Sequence, residues 1–244
     1  ILNHMTNWPQ FLFITTNFMQ QSNTDKIANA GQRMLKSKKK YSRTPLSVTL
    51  MAVRNDDQPT KYEGIAAGIS DIGENYLQEA LGKQSRLTDI KATWHFIGPI
   101  QSNKTLAIAE HFDWVHSVDR LKIAQRLNDQ RPSTLPPLKL CLQVNTSDES
   151  SKAGVSLDEL QSLAERVNGL PRIQLRGLMS IPRASNDIDE QRAAFALLRQ
   201  AFIALQEKGY NLDTLSMGMS TDMEAAIAEG STMVRIGTDL FGPR

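Results

Sequence analysis

The residue types and spacing that could do chemistry cluster near the carboxyl end. A helix start at Ser220-Thr221-Asp222-Met223-Glu224 is followed by a strand-like run over 232–236 that opens onto Gly237-Thr238. Thr221 with Glu224 three residues later has capping-box spacing, which would organise the outward-facing N–H groups of a first helical turn. Such a turn attracts phosphate through unpaired donors and its dipole. Gly237 lets the backbone approach a ligand closely, and the Thr238 hydroxyl adds a donor. Asp222 argues the other way, because a carboxylate in the first turn can fill the site itself. From spacing alone, an anion cup and an ordinary capped helix both remain open.

The elements that must position these residues come from a pattern repeated along the chain. From about residue 22, short apolar runs alternate with longer amphipathic stretches. Candidate strands fall at 47–53, 69–73, 94–97, 114–118, 138–144, 173–179, 214–217 and 232–236. Between them, Leu157, Leu160, Leu163 and Val167 follow Ser156 as a candidate N-cap. Ile188, Phe195, Leu198, Phe202 and Leu205 repeat at helical spacing before a stop at Gly209. Eight strands alternating with helices predict an α/β fold, a single-domain (β/α)8 TIM barrel over 19–244, with an open doubly wound sheet as the alternative. On the barrel reading, both anion-binding turns follow strands 7 and 8, where such barrels commonly hold phosphate. Residues 1–18 read as an extension outside the barrel, disordered or non-native, with Met19 as a candidate start.

Composition narrows the function classes. The 244 residues are 40% hydrophobic and 22% charged, as in a globular protein with a full-sized core. A net charge of +2 gives no overall basic field to recruit nucleic acid or membrane. The cluster Lys36, Lys38, Lys39, Lys40 and Arg43 reads as the solvated end of the first helix, with a nucleic-acid patch as the alternative. No stretch approaches the ~20 apolar residues of a membrane span. The four histidines lack metal-ligand spacing, and the single Cys141 sits in an apolar run that reads as core, so a cytoplasmic location without metal or internal disulfide is expected.

Several longer motifs then carry a family resemblance. They are Gly73-Glu74-Asn75-Tyr76, Trp94-His95-Phe96-Ile97-Gly98-Pro99-Ile100-Gln101-Ser102-Asn103-Lys104 and Arg176-Gly177-Leu178-Met179-Ser180-Ile181-Pro182. Ser216 to Ile227 and Val234-Arg235-Ile236-Gly237-Thr238 complete the set. Over about residues 20–244 the chain resembles the pyridoxal 5′-phosphate homeostasis proteins (the YggS/PROSC family), whose barrel is similar to that of alanine racemase. The resemblance implies binding of pyridoxal phosphate (PLP) without catalytic turnover, and storage or delivery of the cofactor to PLP-dependent apoenzymes. It implies that Ser220, Arg235, Gly237 and Thr238 hold the cofactor, chiefly its phosphate. Asn75 and Met179 would lie near its ring at the ends of strands 2 and 6. His95 begins another family motif, and a hydrogen-bonded core histidine is its competing reading.

The departure is at the decisive position. The family carries a Schiff-base lysine in Ala-Val-Ser-Lys-Thr-Lys-Pro after the first strand. This chain reads Ala52-Val53-Arg54-Asn55-Asp56-Asp57-Gln58-Pro59, so Asn55 stands at the lysine position, and no lysine occurs between Lys40 and Lys61. An amide cannot replace a deprotonated amine as nucleophile. Asp56 and Asp57 add negative charge at the mouth of an anion site. Lys61 reads as a surface lysine or a displaced substitute, and Lys152 as a secondary capture point. Arg54 could touch phosphate but not form the covalent link. Three functions follow: a non-covalent cofactor-handling protein; a paralogue acting through a protein partner or another phosphorylated small molecule; and a racemase or decarboxylase. The third fits poorly without the lysine or a second domain.

Overall fold

The computed structural model describes residues 23–44, 47–53, 69–89, 91–147 and 153–241. Asn55 lies outside the described residues, as do Arg54, Asp56, Asp57, Lys61, Lys152 and the 1–18 extension.

Eight parallel strands close into a barrel in sequence order. They are β1 (Thr49–Val53), β2 (Asp71–Glu74), β3 (Thr93–Phe96), β4 (Trp114–Val118), β5 (Leu138–Gln143), β6 (Ile173–Met179), β7 (Thr214–Ser216) and β8 (Met233–Ile236). Closure is made by β1 against β8, in register from Thr49 opposite Met233 to Ala52 opposite Ile236. That pairing excludes the open sheet. Around the strands lie α1 (Asn23–Lys40), α2 (Leu77–Arg86), α3 (Thr105–His111), α4 (Leu121–Gln130), α5 (Leu157–Asn168), α6 (Ile188–Glu207), α7 (Met223–Ala228) and α8 (Thr238–Phe241).

The strands were legible because each is covered on both faces and so reads as a short continuous apolar run. Every residue of β4 is buried, for example. Outward-facing Leu140, Leu175 and Leu178 meet Phe195, Leu198, Phe202 and Leu205 of α6 in the main core. Smaller clusters fill the inside of the barrel: Met51 with Ile97 and Met233, and Trp114 with Cys141 and Met179. The Ser156 side chain caps α5 by accepting the Glu159 N–H, as its position predicts. Ile188 does not join the core of α6. It is exposed at the first turn, where Asp187 accepts the N–H groups of Asp189 and Glu190.

Part of the basic cluster at the end of α1 is engaged within the fold. Lys38 is buried, and Lys40 pairs with Glu224 at 2.6 Å. Arg43 donates to the carbonyls of Ile227 and Ser231, both at 3.1 Å, where α7 ends. Lys40 and Arg43 thus tie the end of α1 and the residues just after it to the segment from β7 to β8, while Lys36 and Lys39 are exposed. Among the described residues no helix is long and apolar enough to cross a membrane.

Candidate functional site

The carboxyl ends of β6, β7, β8 and β1 bring most of the expected residues together. β7 leads into Gly218, whose φ is +96° and whose absent side chain leaves room for Ala226, 2.5 Å from where a Cβ would sit. Only glycine tolerates both conditions. The chain then turns through Met219–Asp222, with the Asp222 N–H donating to the Met219 carbonyl. The Asp222 carboxylate accepts the Met219 N–H at 2.5 Å. Burial raises its pKa, with this hydrogen bond and the charge of Arg235 opposing.

This turn departs from the expected capping box. α7 begins at Met223, Asp222 occupies the N-cap without a side-chain cap bond, and Thr221 is exposed. Glu224 reaches Lys40 and the Tyr41 hydroxyl rather than the turn. An ion pair from α1 outcompetes the local cap, a contact that spacing within one segment cannot reveal.

The second turn follows β8. Gly237 bends the chain, and its carbonyl accepts the N–H groups of Leu240 and Phe241, both at 3.0 Å, to start α8. A Cβ on Gly237 would stand 3.0 Å from the carbonyl oxygen of Val53. Gly237 therefore lies against the last residue of β1, two positions before Asn55. Thr238 is exposed at the start of α8. The Asp239 N–H donates to the Ser220 hydroxyl at 3.4 Å, so the turns after β7 and β8 meet.

Beneath them lies a buried polar floor. Arg235 faces into the barrel and donates through Nη1 to the Ser216 carbonyl and hydroxyl, at 2.7 and 2.9 Å. Its Nη2 donates to the Ser180 carbonyl at 2.9 Å. Burial lowers its pKa to about 10, with Asp222 opposing, so it remains charged at neutral pH. The Ser180 hydroxyl is buried with no hydrogen-bond partner among the described residues. Met179, fully buried, precedes it and pairs in register with Ser216. Asn75 follows β2, half-buried, with its carbonyl packed against Gly98, where a Cβ would come within 2.0 Å. It therefore sits at the carboxyl end of β2, one strand beyond β1 from the β6–β8 group.

His95 has the core role that competed with a functional one. It is fully buried, with Nε2 3.0 Å from Asp71 Oδ1 and Nδ1 2.9 Å from His116 Nε2. Burial holds both histidines below the usual imidazole pKa, most strongly His116. For Asp71, burial acts upward, but hydrogen bonds from His95 and Ser70 hold the pKa below the usual range. An ionised Asp71 takes the His95 Nε2 proton as a hydrogen bond, so neutral His95 accepts at Nδ1 from His116 Nε2–H. His116 Nδ1 is then an acceptor, and it has no partner among the described residues. A cavity of about 420 Å³ opens at the opposite, amino-terminal mouth, lined by Asp71, Trp114, Lys139 and Arg176 among others. It lies away from the turns after β7 and β8, on the face that barrels of this kind use for stability rather than chemistry. Among the described residues no group of three or more His, Cys, Asp or Glu could hold a metal.

Sequence reasoning missed Ser180, His116, Asp222 as a turn-builder and Arg33. Arg33 lies on α1 and reaches Ser220, 187 residues away in the chain. Ser180 and Asp222 had a sequence signal, their places in the motifs around Met179 and from Ser216 to Ile227.

Comparison with known proteins agrees with this geometry. The family profile for the alanine racemase N-terminal domain matches residues 61–244. A protein of Pseudomonas aeruginosa named pyridoxal phosphate homeostasis protein is 56% identical, covering 90% of this chain and 95% of its own. A protein of the same name from Escherichia coli strain K12 is 49% identical, covering 90% of this chain and 93% of its own. The structure of PipY from Synechococcus elongatus PCC7942 with PLP bound superposes with a TM-score of 0.78. It is 39% identical, over 90% of this chain and all of that one. The chain thus belongs to the pyridoxal phosphate homeostasis protein family, built on the barrel of the alanine racemase N-terminal domain.

Proposed function

We propose that this protein binds pyridoxal 5′-phosphate non-covalently and takes part in cofactor homeostasis without catalytic turnover. The observation that carries the reading is the buried Ser180 hydroxyl. It has no partner among the described residues, and the backbone carbonyl of the same residue accepts from the Arg235 guanidinium, while the turns after β7 and β8 meet at Ser220. A buried hydroxyl without a partner costs about 1–3 kcal/mol, a penalty that a polar ligand group removes. Gly237, kept free of a side chain against β1, leaves backbone open to a phosphate oxygen. These residues fit the cofactor that PipY holds.

In this reading the bound cofactor supplies an aldehyde and a phosphate, and the protein supplies placement. Ser220, Gly237 and Thr238 hold the phosphate at the meeting of the turns. Arg235, held by three acceptors, keeps a fixed positive charge beneath them and favours an anionic ligand. Met179 gives the pocket an apolar wall, and Asn75 borders it from β2. Asn55, at the position of the family's lysine, leaves no amine there for a covalent link. Recipients of a released cofactor would be PLP-dependent apoenzymes.

The test is a titration of the purified chain with pyridoxal phosphate, followed by borohydride reduction, intact mass and peptide mapping. Saturable binding with no trapped adduct is the expected result. An adduct mapped to Lys61 would overturn the non-covalent reading. Absence of binding would favour the alternative that the Asn55-Asp56-Asp57 run raises, a paralogue acting through a protein partner or another phosphorylated ligand. Turnover of an amino acid with added cofactor would revive the enzyme reading.

A further inference from the structure

The side chain that ties the two candidate phosphate turns together comes from outside the barrel. Arg33 lies on α1, and its Nη1 pairs with the Asp239 carboxylate at the start of α8. Its Nη2 donates to the Ser220 carbonyl at 3.0 Å, in the turn after β7. The turns also touch directly, through the Asp239 N–H and the Ser220 hydroxyl. One guanidinium thus spans both turns, and its planar fork suits it to bridge two acceptors at once.

The Ser220 contact determines what the first turn presents. In a trans peptide the carbonyl and the following N–H point in opposite directions. With the Ser220 carbonyl drawn outward to α1, the Thr221 N–H of the same peptide plane points away from α1. Rotation of that plane would exchange a donor for an acceptor at this position and repel an anion. The Asp239 contact acts on the other turn. It holds the carboxylate out against α1 while the Asp239 N–H stays on Ser220, and it neutralises a charge that would otherwise oppose a phosphate. We infer that Arg33 is a positioning residue that sets the donor geometry and local charge of the phosphate end of the site.

This inference rests on the proposed binding of pyridoxal phosphate, and it goes further by making α1 part of that site. Arg33 itself is half exposed, and pairs of that kind add little to folding. The consequence of removing it therefore falls on the ligand rather than on the fold.

The experiment compares wild type with Arg33→Ala, Arg33→Lys and Arg33→Ala/Asp239→Asn. Each is titrated by tryptophan fluorescence with pyridoxal phosphate and with pyridoxal, and the bound phosphate is followed by 31P NMR. Arg33→Ala should weaken pyridoxal phosphate about tenfold, the effect expected for losing a charge-assisted contact, while leaving pyridoxal and the melting temperature unchanged. Arg33→Lys keeps the charge but not the bridge, so its affinity should fall in between. Adding Asp239→Asn should recover the electrostatic part of the loss and leave the geometric part. Equal affinities of wild type and Arg33→Ala for pyridoxal phosphate would overturn the clamp alone. Equal weakening of both ligands would reduce Arg33 to a general structural role and also overturn it. A wild-type protein that binds no pyridoxal phosphate overturns the underlying cofactor reading, and the clamp with it.

Discussion

Lys83→Met offers a sharp test of how the site's scaffold is held. Lys83 of α2 is almost wholly buried, and its ammonium lies 2.9 Å from both carboxylate oxygens of Glu74, which has no exposure at all. Glu74 ends β2 and immediately precedes Asn75, so the pair anchors one edge of the carboxyl-terminal mouth to its helix. At 2.9 Å the attraction is about 6 kcal/mol for an effective dielectric near 20. Desolvation of the two ions offsets most of that, so the pair as a whole adds little net stability. Removing one partner differs, because Glu74 would stay buried while losing the ammonium that bonds both its oxygens, at a cost of about 3–5 kcal/mol. For a domain of this size that lowers the melting temperature by about 10 °C, at roughly 2–4 °C per kcal/mol. The second variant, Lys83→Met with Glu74→Leu, removes both charges and should recover most of the loss. Urea unfolding followed by circular dichroism measures each. A single variant within about 1 kcal/mol of wild type, or a double variant less stable than the single, would refute the reasoning.

Gly98→Ala places a methyl group 2.0 Å from the Asn75 carbonyl oxygen, a backbone atom that cannot yield, so the variant should be insoluble or lose at least ~3 kcal/mol by urea unfolding. The lowered pKa values of His95 and His116 mean that the unfolded chain binds more protons below about pH 6.5. Their contribution to stability is therefore full above that pH and lost as the pH falls through their folded values. Urea midpoints should decline between pH 7 and pH 5, and His116→Gln should flatten that slope. Long-range 15N NMR should find both rings as neutral Nε2–H tautomers at pH 7; a charged ring there would contradict the hydrogen-bond chain from Asp71. Cys141 is buried with its thiol pKa raised by desolvation, and should react with Ellman's reagent only after denaturant is added. Reaction at a native rate typical of an exposed thiol would contradict that burial.

Much of the barrel was legible in the chain because its signals are local. Both-face burial turns each strand into a short apolar run, and the spacing of Phe195, Leu198, Phe202 and Leu205 marks the stripe of α6 that meets them. That Ser220, Gly237 and Thr238 fall in the turns after β7 and β8 was legible because the motifs follow the last two strand-like runs of the chain. The capping box was misread because Glu224 has a stronger partner in Lys40 than in its own turn. Ile188 was misread because helical spacing cannot distinguish a first-turn position, open to solvent, from the buried stripe behind it.

The sequence by itself therefore determined the alternation of strands and helices, the order of the site motifs and the presence of an asparagine, not a lysine, at position 55. All of these are properties of neighbours along the chain. Tertiary structure alone decided that β1 closes on β8, that Ser216, Ser180 and Arg235 form one buried floor, and that Arg33 bridges two turns near the far end of the chain. Hydrogen bonds and ion pairs between such distant residues leave no periodic trace. Their geometry exists only once the barrel has closed and brought its strand ends to within a few ångströms of one another.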